Sequence, residues 1–343
     1  MLTERQLFIL QAIVDDYIRS AEPVGSRSIS KREDISYSPA TIRNEMADLE
    51  ELGFLDKPHS SAGRIPSQRG YRYYVDHLLM PHYLSDTELV DIKKLFAEKI
   101  DEVEQLIQQS AKVLSSLTSY ISIVLGPEMF ETRLKHLQII PLTHETAVAI
   151  IVTDTGHVEN QTITIPGGIE LADLEMVVNI LNDHLKGVPL NDLNKRLNTE
   201  VAAVLRSHIG NVNHVMSMLN RTLKPEKSEK VFYGGKTNLL MQPEFRDIEK
   251  VRLLLNILEE DDLVHQLFRS NSAGINVKIG QENNLEAIDN CSIITASYSI
   301  AGKHMGTVGI LGPTRMEYPR VIGILDHISK DLTKVLTELY QKG

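Results

Sequence analysis

The chain has 343 residues, 42% of them hydrophobic, a length that suits two or three domains at about 150 residues each. No apolar run approaches the ~18 residues of a membrane span, and Glu4, Arg5 and Gln6 interrupt any signal-peptide core. One cysteine, Cys291, excludes an intramolecular disulfide framework and fits a reducing cytoplasm, while a net charge of −10 argues against diffuse polyanion binding through the whole surface.

The chain opens with a predicted amphipathic helix from Thr3 to Ser20, with Leu10, Ile13, Val14, Tyr17 and Ile18 inward. Thr3-Glu4-Arg5-Gln6 fits a capping box at its start. Pro23-Val24-Gly25 interrupts it, and Ser26 begins a short helix through about Lys31. The next helix has Ser38 in place to cap it and Pro39 at its first position, where a missing N–H costs nothing. Ile42, Met46, Leu49 and Leu52 form its buried face. Ala40, Thr41, Arg43, Asn44 and Ala47 lie off that face: small residues that permit close approach, beside donors that can read bases. Gly53 ends the helix where a left-handed residue is wanted. Such a helix is what insertion into a major groove requires.

Phe54 to Lys57 reads as a short strand, and Pro58 to Pro66 as a loop of small hydroxyl residues with one arginine. That composition suits a wing lying along a phosphate backbone or entering a minor groove. Residues 1–80 hold 10 Lys/Arg against 12 Asp/Glu, yet Lys57, Arg64, Arg69 and Arg72 precede Tyr74 with no carboxylate among them. The candidate DNA-binding residues are Ser38, Ala40, Thr41, Arg43, Asn44, Ser60, Ser61, Gly63, Arg64, Arg69 and Arg72. Taken singly, each feature suits a helical bundle or a solvated turn. The order helix, short helix, capped helix, strand, basic loop describes a winged helix-turn-helix.

Met80-Pro81-His82-Tyr83 closes this first domain. A helical pattern from about Asp86 to Val124 predicts a linker helix of ~38 residues, roughly 57 Å long. The period then changes. Leu137–Leu142, Ala147–Thr153 and Val158–Ile165 read as strands, closed by Pro166-Gly167-Gly168. Helices follow at about Leu171–Lys186, Leu190–Leu197, Val201–Leu223 and Phe245–Phe268. Strand character returns at Ile275–Ile279, Ser292–Ile300 and His304–Leu311 before a last helix, Tyr318–Tyr340. Strands, a helical block and strands again suggest one α+β domain split by an insertion.

Enzyme signatures are weak. Tyr233-Gly234-Gly235-Lys236-Thr237 has the tail of a phosphate-binding loop, but Lys230 stands where the motif needs its first glycine, and an ordinary turn beside a strand is expected. The glycines from Gly306 to Gly312 lie within a strand at the wrong spacing for a dinucleotide fingerprint. The 12 histidines form no H-E-x-x-H pair, and Cys291 suits a small buried hydrophobe. No catalytic residue, metal or cofactor is expected.

The runs Pro23-Val24-Gly25-Ser26, Ala40-Thr41-Ile42-Arg43-Asn44, Ser61-Ala62-Gly63-Arg64-Ile65-Pro66 and Gly70-Tyr71-Arg72-Tyr73-Tyr74-Val75-Asp76 resemble those of the bacterial heat-inducible transcription repressor HrcA family. Gly234-Gly235, Asn238-Leu239-Leu240, Pro243-Glu244-Phe245, Ile279-Gly280-Gln281-Glu282-Asn283 and Gly306 to Pro313 extend the likeness over essentially the whole chain. Ser67 departs from the threonine expected after the wing proline, with the hydroxyl kept. The resemblance implies an α+β chain: a winged helix-turn-helix at 1–80, a linker helix and first part of a GAF-like sensor-type domain at 81–167, a mainly helical inserted dimerisation domain at 168–245, and the rest of the GAF-like domain at 246–343. It further implies a cytoplasmic homodimer that represses chaperone operons. That dimer would bind double-stranded inverted-repeat operator DNA and no membrane, and the chaperonin GroEL would keep it active. Two other readings are a winged-helix regulator controlled by a small ligand in the GAF-like domain, and a nucleotide-dependent enzyme using Gly234 to Thr237.

Overall fold

A computed structural model describes the chain except for residues 1, 60–62, 81–82, 98–102, 127–132, 155–157, 168, 170, 209–211, 224–229, 270–273, 301–302 and 343. The chain folds as two compact units, one made of 1–126 and 230–337, the other of 127–229 with 338–343.

The first unit starts with helix α1 (Glu4–Ser20). Its capping box is formed: Thr3 Oγ1 accepts from Gln6 N at 3.2 Å, and Gln6 Oε1 accepts from Thr3 N at 3.0 Å. Ile9, Leu10, Ile13, Val14 and Ile18 are buried against α2 (Ser26–Ile29) and α3 (Pro39–Glu51). Each such side chain contributes about 1.5–3 kcal/mol relative to exposure. Strand β1 (Leu55–Asp56) pairs antiparallel with β2 (Ile65–Pro66), forming the wing. Helix α4 (Gln68–Tyr73) follows; its cap is Ser67, whose hydroxyl accepts from Gly70 N at 3.0 Å. Leu52, expected inward, is 45% exposed. It is the cap residue of α3, and Gly53 (φ +75°) turns the chain away before the periodicity can bury it.

The single linker helix gives way to two, α5 (Asp86–Ala97) and α6 (Val103–Thr118), which pack on each other as one continuous rod could not. Its expected end is instead strand β3 (Ile121–Leu125), buried throughout. β3 belongs to a five-stranded antiparallel sheet of order β7-β3-β10-β9-β8, with β7 at Val231–Gly234, β8 at Ile275–Ile279, β9 at Cys291–Ile300 and β10 at Lys303–Pro313. The helix expected across Phe245–Phe268 is broken into α11 (Ile248–Glu259) and α12 (Asp261–Phe268). The two share a core with the sheet through Leu254, Leu258, Phe268, Ile123 and Ile293. Helix α13 runs from Tyr318 to Lys342.

The second unit is a meander of β4 (Leu134–Pro141), β5 (Thr146–Thr153) and β6 (Val158–Thr164), followed by α7 (Leu171–Leu185), α8 (Leu193–Arg196), α9 (Ala202–His208) and α10 (Val212–Thr222). Leu137, Ala149 and Ile163 of the sheet share one core with Val177, Leu181, Leu205, Val215 and Leu219 of the helices. The boundary expected at 168 therefore lies near 127. These three strands pair with one another and bury their apolar face against the helices, and among the described residues none pairs with the larger sheet. The far boundary, expected at 245, lies near 230, because β7 pairs with β3. The chain leaves β3 and returns at β7 through adjacent positions, with Gly126 N donating to Lys230 O at 2.8 Å.

Candidate nucleic-acid interface

Ser38 sets the start of α3. Its Oγ accepts from Thr41 N at 3.1 Å and lies 2.9 Å from Thr41 Oγ1, which holds Thr41 on the first turn. Ile42, Met46 and Leu49 point into the core. Ala40, Arg43, Asn44 and Ala47 are exposed along one stripe, and Thr41 is half-buried beside it. Neither Arg43 nor Asn44 has a side-chain partner among the described residues. Two alanines around one free guanidinium and one free carboxamide leave on this stripe donors of the kind that reads base edges. Behind it, Tyr74 Oη donates to Asp15 Oδ1 at 2.9 Å, tying the end of α4 to α1. Burial pushes the Asp15 carboxyl above its ordinary range, with the Tyr74 hydrogen bond pulling the other way.

The expected wing residues divide. Ser60 and Ser61 lie outside the described residues. Gly63 sits at the wing root, where Arg64 exchanges backbone hydrogen bonds with Val24 at 2.8 and 2.9 Å. The side chain of Arg64 turns back onto the recognition helix, Nη2 lying 2.6 Å from Glu50 Oε2, with Nε buried and unbonded. Arg69 donates from Nη1 to Leu52 O at 2.9 Å, at the end of α3, and stacks 4.6 Å over the Phe54 ring. Arg72 donates to Glu282 Oε1 from Nε at 2.8 Å, to Val277 O at 2.6 Å and to Asp76 Oδ1 at 3.1 Å. The basic run thus loses most of its free charge: three of its four cations serve the protein's own carboxylates and carbonyls. Arg72 in particular directs its fork to Glu282 and Val277 within the protein.

Free cations stand elsewhere on the same domain. Arg19, Arg27, Lys31, Arg43 and Lys57 are exposed and have no side-chain partner among the described residues. Arg27 and Lys31, in and just after the short helix before α3, were absent from the sequence-based candidates. The signal that finds them is subtraction of ion pairs, Arg5–Glu45 and Arg32–Asp16 included, rather than local charge density. The enzyme-like loop is accounted for structurally. Gly234 ends an edge strand, Gly235 is left-handed (φ +64°), and Lys236 Nζ lies 3.7 Å over the Tyr233 ring.

A capped recognition helix with a donor stripe, a two-stranded wing and a basic flank define a winged-helix DNA-binding regulator. Residues 1–76 match the family model described as the winged helix-turn-helix transcription repressor, HrcA DNA-binding, and residues 104–322 match that of the HrcA protein C terminal domain. The heat-inducible transcription repressor HrcA of Halalkalibacterium halodurans is 68% identical over 343 residues, 100% of both chains. That of Bacillus pumilus is 55% identical, again over 100% of both. A crystal structure described as a hypothetical protein shares the fold, with a TM-score of 0.69 at 23% identity over 99% of this chain and 100% of that one. The chain belongs to the HrcA family of heat-inducible transcription repressors, regulators that bind DNA and are not enzymes. Among the described residues no helix is long and apolar enough to cross a membrane.

Proposed function

We propose that the protein represses chaperone operons by binding an inverted-repeat operator as a homodimer, with α3 in the major groove. Arg43, Asn44 and Thr41 read base edges. Ala40 and Ala47 admit the helix. Ser38, the wing at Ser60, Ser61 and Gly63, and the free cations Arg27, Lys31 and Lys57 lie along phosphates. The observation that carries this reading is the unpartnered donor pair Arg43 and Asn44 on an otherwise small-residue stripe. In this reading Arg64 and Arg69 act by holding wing and helix together.

Pairing is assigned to the 127–229 unit. The outer face of its sheet carries Val148, Ile150 and Val152, half-buried, with Ile140 opposite Val148 and Val158 opposite Val152. Ile140 is 41% and Val158 53% exposed; with the β5 residues they form an apolar band crossed by Gln138 and Asn160, which pair with Ile150, and such a band suits a protein partner. The antiparallel five-stranded sheet flanked by helices supports the GAF-like reading of the other unit. Packing at Gly309 is close: a Cβ there would lie 2.4 Å from the Phe268 ring. The chaperonin GroEL is assigned the role of raising the fraction of correctly packed dimers, as suits a chain of two units prone to incompletely packed states.

Selection of duplexes from random DNA by the full-length protein tests the reading. An inverted repeat should emerge, bound by two chains, and titration with it should show chaperonin raising the competent fraction at constant affinity. Recovery of DNA without sequence preference would refute operator reading.

A further inference from the structure

The winged helix is tied to the sheet of its own unit by more than the chain. Noncovalent contacts tie the head to that sheet at two places. At the first, Gln68 on α4 donates from Nε2 to Asp289 O at 3.0 Å and accepts at Oε1 from Gln281 N at 3.0 Å. One turn on, Arg72 forks onto both oxygens of Glu282 and onto Val277 O. Between these contacts the buried Tyr71 ring lies 6.0 Å from the buried ring of Tyr318. At the second place Arg315, held 2.6 Å from Glu244, donates to Ile18 O at the end of α1, also at 2.6 Å. Gln281 donates while Asp289, Val277, Glu282 and Ile18 accept, so the head is held through five separate partners rather than one.

A two-headed protein on an inverted repeat needs that fixity. Each added base pair lengthens the gap by about 3.4 Å and turns the second half-site around the axis. A head free to swivel on its sheet follows such changes; a head fixed to it has lost that freedom, and at an unsuitable spacing the avidity of the second contact falls. We infer that Arg72, Gln68 and Arg315 are positioning residues that hold the recognition helix on the sheet of its own unit and so narrow the range of half-site spacings the repressor accepts. This rests on the reading of the protein as a dimeric repressor of an inverted repeat.

The test uses full-length wild type, Glu282→Gln and Gln68→Ala on duplexes carrying the repeat selected by wild type, its spacer varied by single base pairs, and on a single half-site. Glu282→Gln keeps an oxygen for its cap on Ile279 N, at 2.8 Å, while removing the charge that Arg72 meets. Wild type should favour one spacer by roughly tenfold or more. Both variants should hold single half-site affinity within about twofold, since the reading face is untouched, and their spacer profiles should flatten toward it. The unchanged half-site affinity reports a folded head, which a merely destabilised variant would not keep. If both variants keep the wild-type peak at the same spacer and contrast, the positioning role is overturned while the repressor reading stands. A wild type that binds one half-site as tightly as any pair overturns both.

Discussion

Gly63→Ala isolates the wing root. A Cβ at this position lies 2.4 Å from Val24 O, 2.5 Å from Val24 C and 2.8 Å from Pro23 C, all backbone atoms that cannot swing aside. Ordinary contact begins near 3.4 Å, so the strand must retreat by about 1 Å. That stretches the reciprocal bonds between Val24 and Arg64, now 2.8 and 2.9 Å, beyond useful hydrogen-bond length. Two lost bonds at about 1 kcal/mol each, with looser packing over the buried Val24, ease local opening by roughly 2–3 kcal/mol. Hydrogen exchange at the Val24 and Arg64 amides of the full-length protein should accelerate roughly 30- to 160-fold. Gly25→Ala is the control: nothing lies within 4 Å of its Cβ, and the same amides should exchange at nearly wild-type rates. Wild-type protection in Gly63→Ala would refute the steric argument, and equal acceleration in both variants would remove its specificity.

Arg43→Ala should cost roughly 1–3 kcal/mol on the selected repeat and little on random DNA, measured by fluorescence anisotropy; equal losses on both would strike out base reading. Lys57→Ala should lower the salt slope of binding by about one unit, whereas Arg64→Ala, already neutralised by Glu50, should leave it nearly unchanged. Glu88 is partly desolvated, which raises its pKa, but Ser85 and Arg320, the latter 2.7 Å away, together hold the carboxyl below its ordinary 4.5. Its stabilisation is complete above that value and is lost as pH falls through the lowered folded one, so Glu88→Gln should flatten the acid limb of a thermal-midpoint titration below about pH 4.5. Burial pushes the Cys291 thiol up to about 12, so a thiol reagent at about pH 8 should label it only on unfolding; stoichiometric labelling of the native chain would contradict that burial.

Local chemistry was legible in the sequence. The caps at Thr3 and Ser38 and the stripe from Ala40 to Ala47 depend on residues three or four apart, and they stand as read. Distant partners were not legible. Arg64, Arg69 and Arg72 look alike as basic loop residues, and what separates them from Lys57 is Glu50, Leu52 O and Glu282, the last 210 positions away. Ile121 to Leu125 is apolar at every step but Ser122, so periodicity could not tell a fully buried strand from the end of a helix. The alternation in β5 announced a sheet with one buried face but not which sheet, and the boundary drawn at 168 followed the change from strand to helix instead of the pairing.

The sheet order also sets a timetable for a nascent chain. β3 leaves the ribosome early, but its neighbours β7 and β10 come later, with the whole of 127–229 translated in between. At about 5–20 residues per second, synthesis from Leu125 to Lys303 takes on the order of ten to forty seconds. Throughout that interval a strand buried at every position in the finished protein has no partner on at least one edge. The 127–229 unit can close on its own contacts meanwhile. The winged helix is complete before any of this, yet Val277, Glu282, Asp289 and Arg315, the residues that hold it, are among the last to be made. The DNA-binding head of a newly made chain is therefore complete before the contacts that hold it to the sheet can form.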